Sequence, residues 1–135
     1  MNLVWEDDMN DKIMMVDDET DFLEVMEKFF RRRNVDCKSA TNCMDALDLL
    51  SKDNFDVVIM DVSMPGKDGL ACMTEMKGIQ PGLEVIILTG HGSLDTGLIG
   101  MRRGAFDYCL KPVDFNELLE KITLAREKAA ARRHS

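Results

Sequence analysis

Four short apolar runs in this chain each end at a polar residue, and that pattern leaves few folds open. Ile13-Met14-Met15-Val16 ends at Asp17-Asp18, Val57-Val58-Ile59-Met60 at Asp61, Val85-Ile86-Ile87-Leu88 at Thr89, and Tyr108-Cys109-Leu110 at Lys111-Pro112. Runs this apolar and this short read as strands buried on both faces, the habit of parallel sheets. Parallel strands place their carboxyl ends along one edge, where open α/β sheets bind ligands. Three carboxylates, a hydroxyl and an ammonium would then converge on one cleft. Carboxylates gather a hard cation, while ammonium and hydroxyl groups hold a phosphoryl group.

Strand and helix signals alternate five times. Residues 12–16 form the first strand, and residues 19–33 a helix with Phe22, Val25, Met26, Phe29 and Phe30 along one apolar face. Residues 35–40 are mixed in polarity and read as an edge strand; residues 42–52 carry Cys43, Leu47 and Leu50 at helical spacing. Residues 56–60 read as a central strand, followed by a loop marked by Pro65, Gly66 and Gly69. A weaker helix over 70–79 stops at Gln80-Pro81-Gly82, and residues 84–88 form another buried strand. Residues 93–103 predict a fourth helix closed by Gly104, and residues 106–110 the last strand. Asp114-Phe115-Asn116-Glu117 is a capping-box pattern. It opens a final helix with Phe115, Leu119, Ile122 and Ala125 on one face, expected to fray within 127–135. Right-handed crossovers turn this order into an α/β fold, a doubly wound five-stranded parallel sheet with helices on both faces.

Bulk properties exclude several classes. A length of 135 residues suits one domain, expected over 12–128, with 129–135 as a tail or the start of a linker. No run is long enough to span a bilayer, which argues against a membrane partner. Residues 1–11 are acidic and lack a secretory signal, so the expected location is the cytoplasm and the segment reads as a disordered tail in which Trp5 has no periodic partners. A net charge of −8 argues against a direct nucleic-acid surface. Arg31-Arg32-Arg33, Arg102-Arg103 and Arg132-Arg133 each end a helical pattern, where cations suit the helix dipole. The four cysteines (Cys37, Cys43, Cys72, Cys109) show no metal or disulfide spacing and read as reduced, mostly buried thiols. Eleven methionines fall mostly on core positions and read as gap-fillers.

Taken singly, Asp18 could be a helix cap, Asp61 a turn residue, Thr89 a strand end and Lys111 a solvated lysine. Together they resist that reading. Two carboxylates about 4 Å apart repel by about 4 kcal/mol at an effective dielectric of about 20. Asp17, Asp18 and Asp61 crowded at one mouth therefore call for a cation, with Mg2+ or Mn2+ the natural choice. A carboxylate beside such a metal can attack a phosphoryl donor.

The chain resembles the response-regulator receiver domain of two-component signalling, over residues 12 to about 125. The resemblance rests on Val16-Asp17-Asp18-Glu19, the stretch from Met60-Asp61 through Ser63-Met64-Pro65-Gly66-Lys67-Asp68-Gly69, Leu88-Thr89-Gly90 and Tyr108-Cys109-Leu110-Lys111-Pro112. It implies a flavodoxin-like sheet of order 2-1-3-4-5. It implies phosphorylation of Asp61 by a sensor histidine kinase or phosphotransfer protein. Asp18 and Asp61 match direct metal ligands, Asp17 a ligand acting largely through water, and Ser63 a backbone carbonyl ligand. Thr89, Gly90 and Lys111 match phosphoryl-binding residues. Thr89 and Tyr108 match the switch pair, and the Lys111-Pro112 bond is cis in such proteins. The implied readout is the face of helix 4, strand 5 and helix 5, offered to an output domain or partner protein, with a homodimer forming on phosphorylation.

Other features are particular to this chain. Gly97 and Gly100 lie inside helix 4, each costing roughly 1 kcal/mol relative to Ala; they predict a soft helix, partly disordered before phosphorylation, against the alternative of close packing that only glycine allows. Ser63 and His91 sit two residues beyond Asp61 and Thr89, where they would tune phosphate lifetime. Asp107 and Arg102-Arg103 are candidates for pairing across a dimer. A flavodoxin-like cofactor binder would need a hydroxyl- and glycine-rich loop where Asp17-Asp18-Glu19 stands. A true aspartyl-phosphate phosphatase or phosphotransferase would want a second acid near Asp61, where Ser63 stands. A receiver that has lost phosphorylation would lack some of the five key side chains, all of which are here. Gly104-Ala105-Phe106-Asp107-Tyr108 resembles receivers that precede transcription-activating ATPase or DNA-binding domains.

Overall fold

The computed structural model describes residues 13–62, 69–90 and 94–133. The expected tail over 1–11, Ser63, Pro65, Gly66 and His91 lie outside the described residues. Strands β1 (Ile13–Val16), β2 (Cys37–Ala40), β3 (Val57–Asp61), β4 (Glu84–Thr89) and β5 (Asp107–Leu110) alternate with helices α1 (Thr20–Arg32), α2 (Cys43–Lys52), α3 (Gly69–Ile79), α4 (Leu94–Arg102) and α5 (Phe115–Arg133). All pairings are parallel, in the order β2-β1-β3-β4-β5. The direction of winding reverses at β1 and β3, and their register sets Val16 against Met60. Asp17 and Asp61 therefore leave the sheet side by side at its switch point.

Side chains alternate across the sheet. Met14, Val16, Val58, Met60, Val85 and Ile87 meet α2 and α3 through Ala46, Leu50, Met73 and Met76. Ile13, Met15, Val57, Ile59, Ile86 and Leu88 meet α1 and α5 through Leu23, Met26, Phe30, Leu118 and Ile122. With both faces covered, every residue of β1, β3 and β4 is buried, while β2 at the edge is mixed.

Three helix details differ from expectation. Val25 of α1 is 51% exposed and Leu23 is buried in its place. In α5 Leu118 is buried where Leu119 was expected. An apolar helix stripe is roughly 100° wide, so spacing alone resolves it only to about one residue. Helix α5 also does not fray at 127 but runs to Arg133. Tertiary contacts hold its end: Ala129 is buried, Arg132 donates to the Pro81 carbonyl at 3.3 Å, and Lys128 and Arg132 each lie 3.7 Å from the buried Glu84 carboxylate. The capping pattern at Asp114 is half realised. Its Oδ1 accepts the Glu117 N–H at 3.1 Å, whereas the Glu117 carboxylate turns to Lys121 at 3.2 Å.

Helix α4 ends as expected at Gly104, whose φ of 106° lets the Ala105 N–H reach the Gly100 carbonyl at 3.0 Å. Its interior glycines, expected to soften it, are both buried and closely packed. Gly69 has a comparable role at the start of α3. A Cβ there would lie 2.5 Å from Val62 Cα, and backbone cannot step aside. Gly69→Ala is expected to destabilise by about 2–3 kcal/mol, read as a lower urea midpoint. Gly78→Ala in the same helix, where a Cβ meets nothing within 4 Å, should instead gain up to about 1 kcal/mol.

The cysteines are not all thiols. Cys43 of α2 and Cys72 of α3, both buried with Cα atoms 6.1 Å apart, are joined as a disulfide, which corrects the reduced reading. Their separation of 29 residues hid that the two helices are neighbours on one sheet face. Cys37 and Cys109 remain free. Burial pushes the Cys109 thiol up from 9.0 to about 11; Lys121 pulls it down, while Glu117 and Asp107 add to the rise. Below pH 9 the thiol is neutral in both folded and unfolded chains, and stability is intact. Between about 9 and 11 the unfolded chain ionises first, so stability falls as pH rises. Cys109→Ala should flatten that alkaline loss by roughly 2–3 kcal/mol in urea unfolding at the upper end of the window.

Candidate functional site

Asp17 follows β1, Asp61 ends β3, Thr89 ends β4 and Lys111 follows β5, so the four strand ends meet at one edge. Asp17, Asp61 and Thr89 are buried. The Lys111 ammonium sits among three carboxylates: Asp17 Oδ2 at 2.7 Å, Glu19 Oε1 at 3.0 Å and Asp61 Oδ2 at 3.3 Å. It also lies 4.6 Å from the centre of the Phe22 ring. The Lys111 N–H donates to the Thr89 carbonyl at 2.8 Å, tying the ends of β5 and β4 together, and the Lys111-Pro112 bond is cis.

Charge explains the arrangement. Burial pushes the Asp17 carboxyl above its ordinary 3.8 and Asp61 adds to the rise, while Lys111 and the Glu19 N–H hold it back. Burial alone would lower Lys111, but its hydrogen bonds to Asp17 and Glu19 and the charge of Asp61 raise it above the ordinary lysine range. Carboxylate oxygens of Asp17, Glu19 and Asp61 all lie within 4.8 Å of one another. Three carboxylates against one ammonium leave an excess of two negative charges. This all-oxygen, electron-rich set fits a hard divalent cation such as Mg2+ or Mn2+.

Asp18, matched by resemblance to a direct ligand, is exposed and stands apart from this trio. Glu19 belongs to the trio, a residue to which the sequence reading gave no role. The Asp17 Oδ1 accepts the Glu19 N–H at 2.9 Å, which curls the chain so that Glu19 faces Lys111. Thr89 Oγ1 donates to the Gly90 carbonyl at a long 3.5 Å. Tyr108 stands opposite Ile87 in the β4–β5 register, on the sheet face that Thr89 shares by alternation. Its carbonyl accepts Lys121 Nζ at 2.6 Å. Asp107, a candidate for pairing across a dimer, lies 3.5 Å from Lys121 within the chain.

This site on this sheet has relatives. The family model of the response regulator receiver domain matches residues 13–123. The chain belongs to that family. Response regulator protein PilR of Pseudomonas aeruginosa is 36% identical over 114 residues, 84% of this chain and 26% of PilR. Sporulation initiation phosphotransferase F of Bacillus subtilis is 32% identical over 114 residues, 84% of this chain and 92% of that protein. A receiver domain protein crystal structure from Clostridium thermocellum superposes with a TM-score of 0.78 at 32% identity, covering 92% and 97% of the two chains. The receiver thus spans about a quarter of PilR but nearly all of the Bacillus protein. Among the described residues of this receiver no helix is long and apolar enough to cross a membrane.

Proposed function

We propose that this receiver accepts a phosphoryl group on Asp61 from the phosphohistidine of a sensor kinase or phosphotransfer protein, in the cytoplasm and with a divalent cation. The observation that carries the reading is the Lys111 ammonium bridging Asp17, Glu19 and Asp61 at the switch point of the sheet. In the transfer, the donor P–N bond breaks, a P–O bond to an Asp61 carboxylate oxygen forms, and the imidazole leaves with the electron pair. Asp17, Glu19 and Asp61 would hold Mg2+, with Asp18 and the Ser63 carbonyl the further ligands that family resemblance implies. A metal held there would supply charge that offsets the phosphoryl oxygens. Lys111 stays close enough to Asp61 to pair with one such oxygen, and Thr89 Oγ1 and the Gly90 N–H take another.

The new acyl phosphate brings nearly two negative charges and strong acceptors. Thr89 reaches them only by leaving the Gly90 carbonyl, which opens space for Tyr108. That difference in contacts is what shifts a two-state population. The readout falls on α4, β5 and α5, the face that family resemblance implies, on which Leu98, Met101, Leu110 and Leu124 lie exposed. Its occupant is an output domain, a partner protein or a second copy of the chain. The test is incubation with acetyl phosphate, with and without Mg2+, followed by intact-mass measurement. One added phosphoryl group, dependent on Mg2+ and removed by hydroxylamine, supports the reading; an unchanged mass overturns it.

A further inference from the structure

We propose that Gly97 is a positioning residue for Tyr108: by lacking a side chain it forms the seat in α4 on which the Tyr108 ring rests, and so sets where that ring stands before phosphorylation. The inference rests on Tyr108 being the switch residue of the function proposed above. A Cβ built on Gly97 would lie 2.8 Å from Tyr108 Cδ2, 3.0 Å from Cγ and 3.2 Å from Cε2. These are not the tip of a flexible chain. Cγ is the root of the ring, and it clears an added methyl only if χ1 turns or α4 moves off the sheet.

The backbone behind the ring gives little. Lys121 of α5 holds the Tyr108 carbonyl at 2.6 Å, Glu117 at 3.2 Å and Asp107 at 3.5 Å, and its ammonium lies 5.6 Å from the ring centre. The Tyr108 N–H is held in turn by Asp107 Oδ1 at 2.7 Å. Pressure from position 97 therefore falls on the ring torsion. Gly100, one turn on, differs: a Cβ there would strike Ile87 Cδ1, the end of a core side chain, and meet Leu70 Cδ2 at 3.3 Å. Gly100 admits core packing, whereas Gly97 admits the ring.

Tyr108 is the one tyrosine of the chain, so 3-fluorotyrosine gives a single fluorine resonance. In the unphosphorylated protein Gly97→Ala should change the ratio of ring states by roughly three- to tenfold, the range set by moving a side chain off its preferred torsion. It should lower the urea midpoint of the otherwise wild-type protein and raise it in a Tyr108→Ala background, where the ring is gone and only helix propensity remains. An unmoved resonance, or an equal loss of midpoint in both backgrounds, overturns the seat. If Gly97→Ala alone does not fold, Tyr108→Ala must restore it; failure to do so also overturns the seat. The wild-type resonance with acetyl phosphate and Mg2+ tests the switch separately. A response to phosphorylation without a response to Gly97→Ala rejects the seat and keeps the switch. The reverse keeps the seat and rejects the switch.

Discussion

Asp61→Asn protein should take up no phosphoryl group from acetyl phosphate, and in magnesium-free buffer it should unfold at a higher urea concentration than wild type. The first effect is chemical, since an amide oxygen does not form the acyl phosphate. The second follows from the charge balance. Asp61 is 5% exposed and lies within 4.8 Å of two other carboxylate oxygens, with the Lys111 ammonium at 3.3 Å. Removing its charge relieves its repulsion by Asp17 and Glu19 and the burial of an anion, against a weakened attraction to Lys111 that an amide oxygen still partly makes. The net gain is on the order of 1 kcal/mol. Added Mg2+ should narrow or reverse the gap, because it stabilises the protein that binds it more tightly. A variant that still gains phosphoryl mass would move the acceptor elsewhere; one less stable than wild type without metal would show that Asp61 is held by more than this cluster's charge.

The four strand ends were legible because a buried parallel strand must be apolar throughout, so the first polar residue after each run marks the functional edge. Asp17, Asp61, Thr89 and Lys111 were found that way, and the topology joins them. Glu19 was not, because its place depends on a turn closed by Asp17 Oδ1 onto its N–H, a local bond that composition does not record. That turn also leaves Asp18 exposed. The α5 end was misjudged because its last turn looks polar and solvent-ready, yet Glu84, buried at the start of β4, draws Lys128 and Arg132 onto it. The glycines of α4 read as weakness on propensity, with close packing as the alternative, and the structure shows the packing. Their reason is what stands opposite, Tyr108 and Ile87, which lies in tertiary contact rather than in the helix itself.

Lys111→Met should cost the folded state about 3 kcal/mol in magnesium-free buffer near neutral pH, the usual penalty for leaving buried charge without its partner. Lys111 lies within 4 Å of Asp17, Glu19 and Asp61 alike, and its methylene stem is closely replaced by Met. The deficit should depend on pH in a definite direction. Asp17 already titrates above its ordinary 3.8, and Lys111 is what holds it back, so the variant raises it further. A carboxyl raised by folding contributes its stability below the unfolded pKa, where it is neutral in both states, and loses it as pH rises through the folded pKa. Wild type and variant should therefore converge near pH 4 and separate toward neutrality. Mg2+ should then restore more stability to the variant than it adds to wild type. Three carboxylates without an ammonium bind a divalent cation more tightly, and tighter binding to the folded state alone raises stability in proportion to the logarithm of affinity. Urea unfolding at several pH values, each with and without Mg2+, reads all of this. A deficit that persists in acid and ignores the metal would mean that Lys111 serves as packing rather than as the counter-charge of the site.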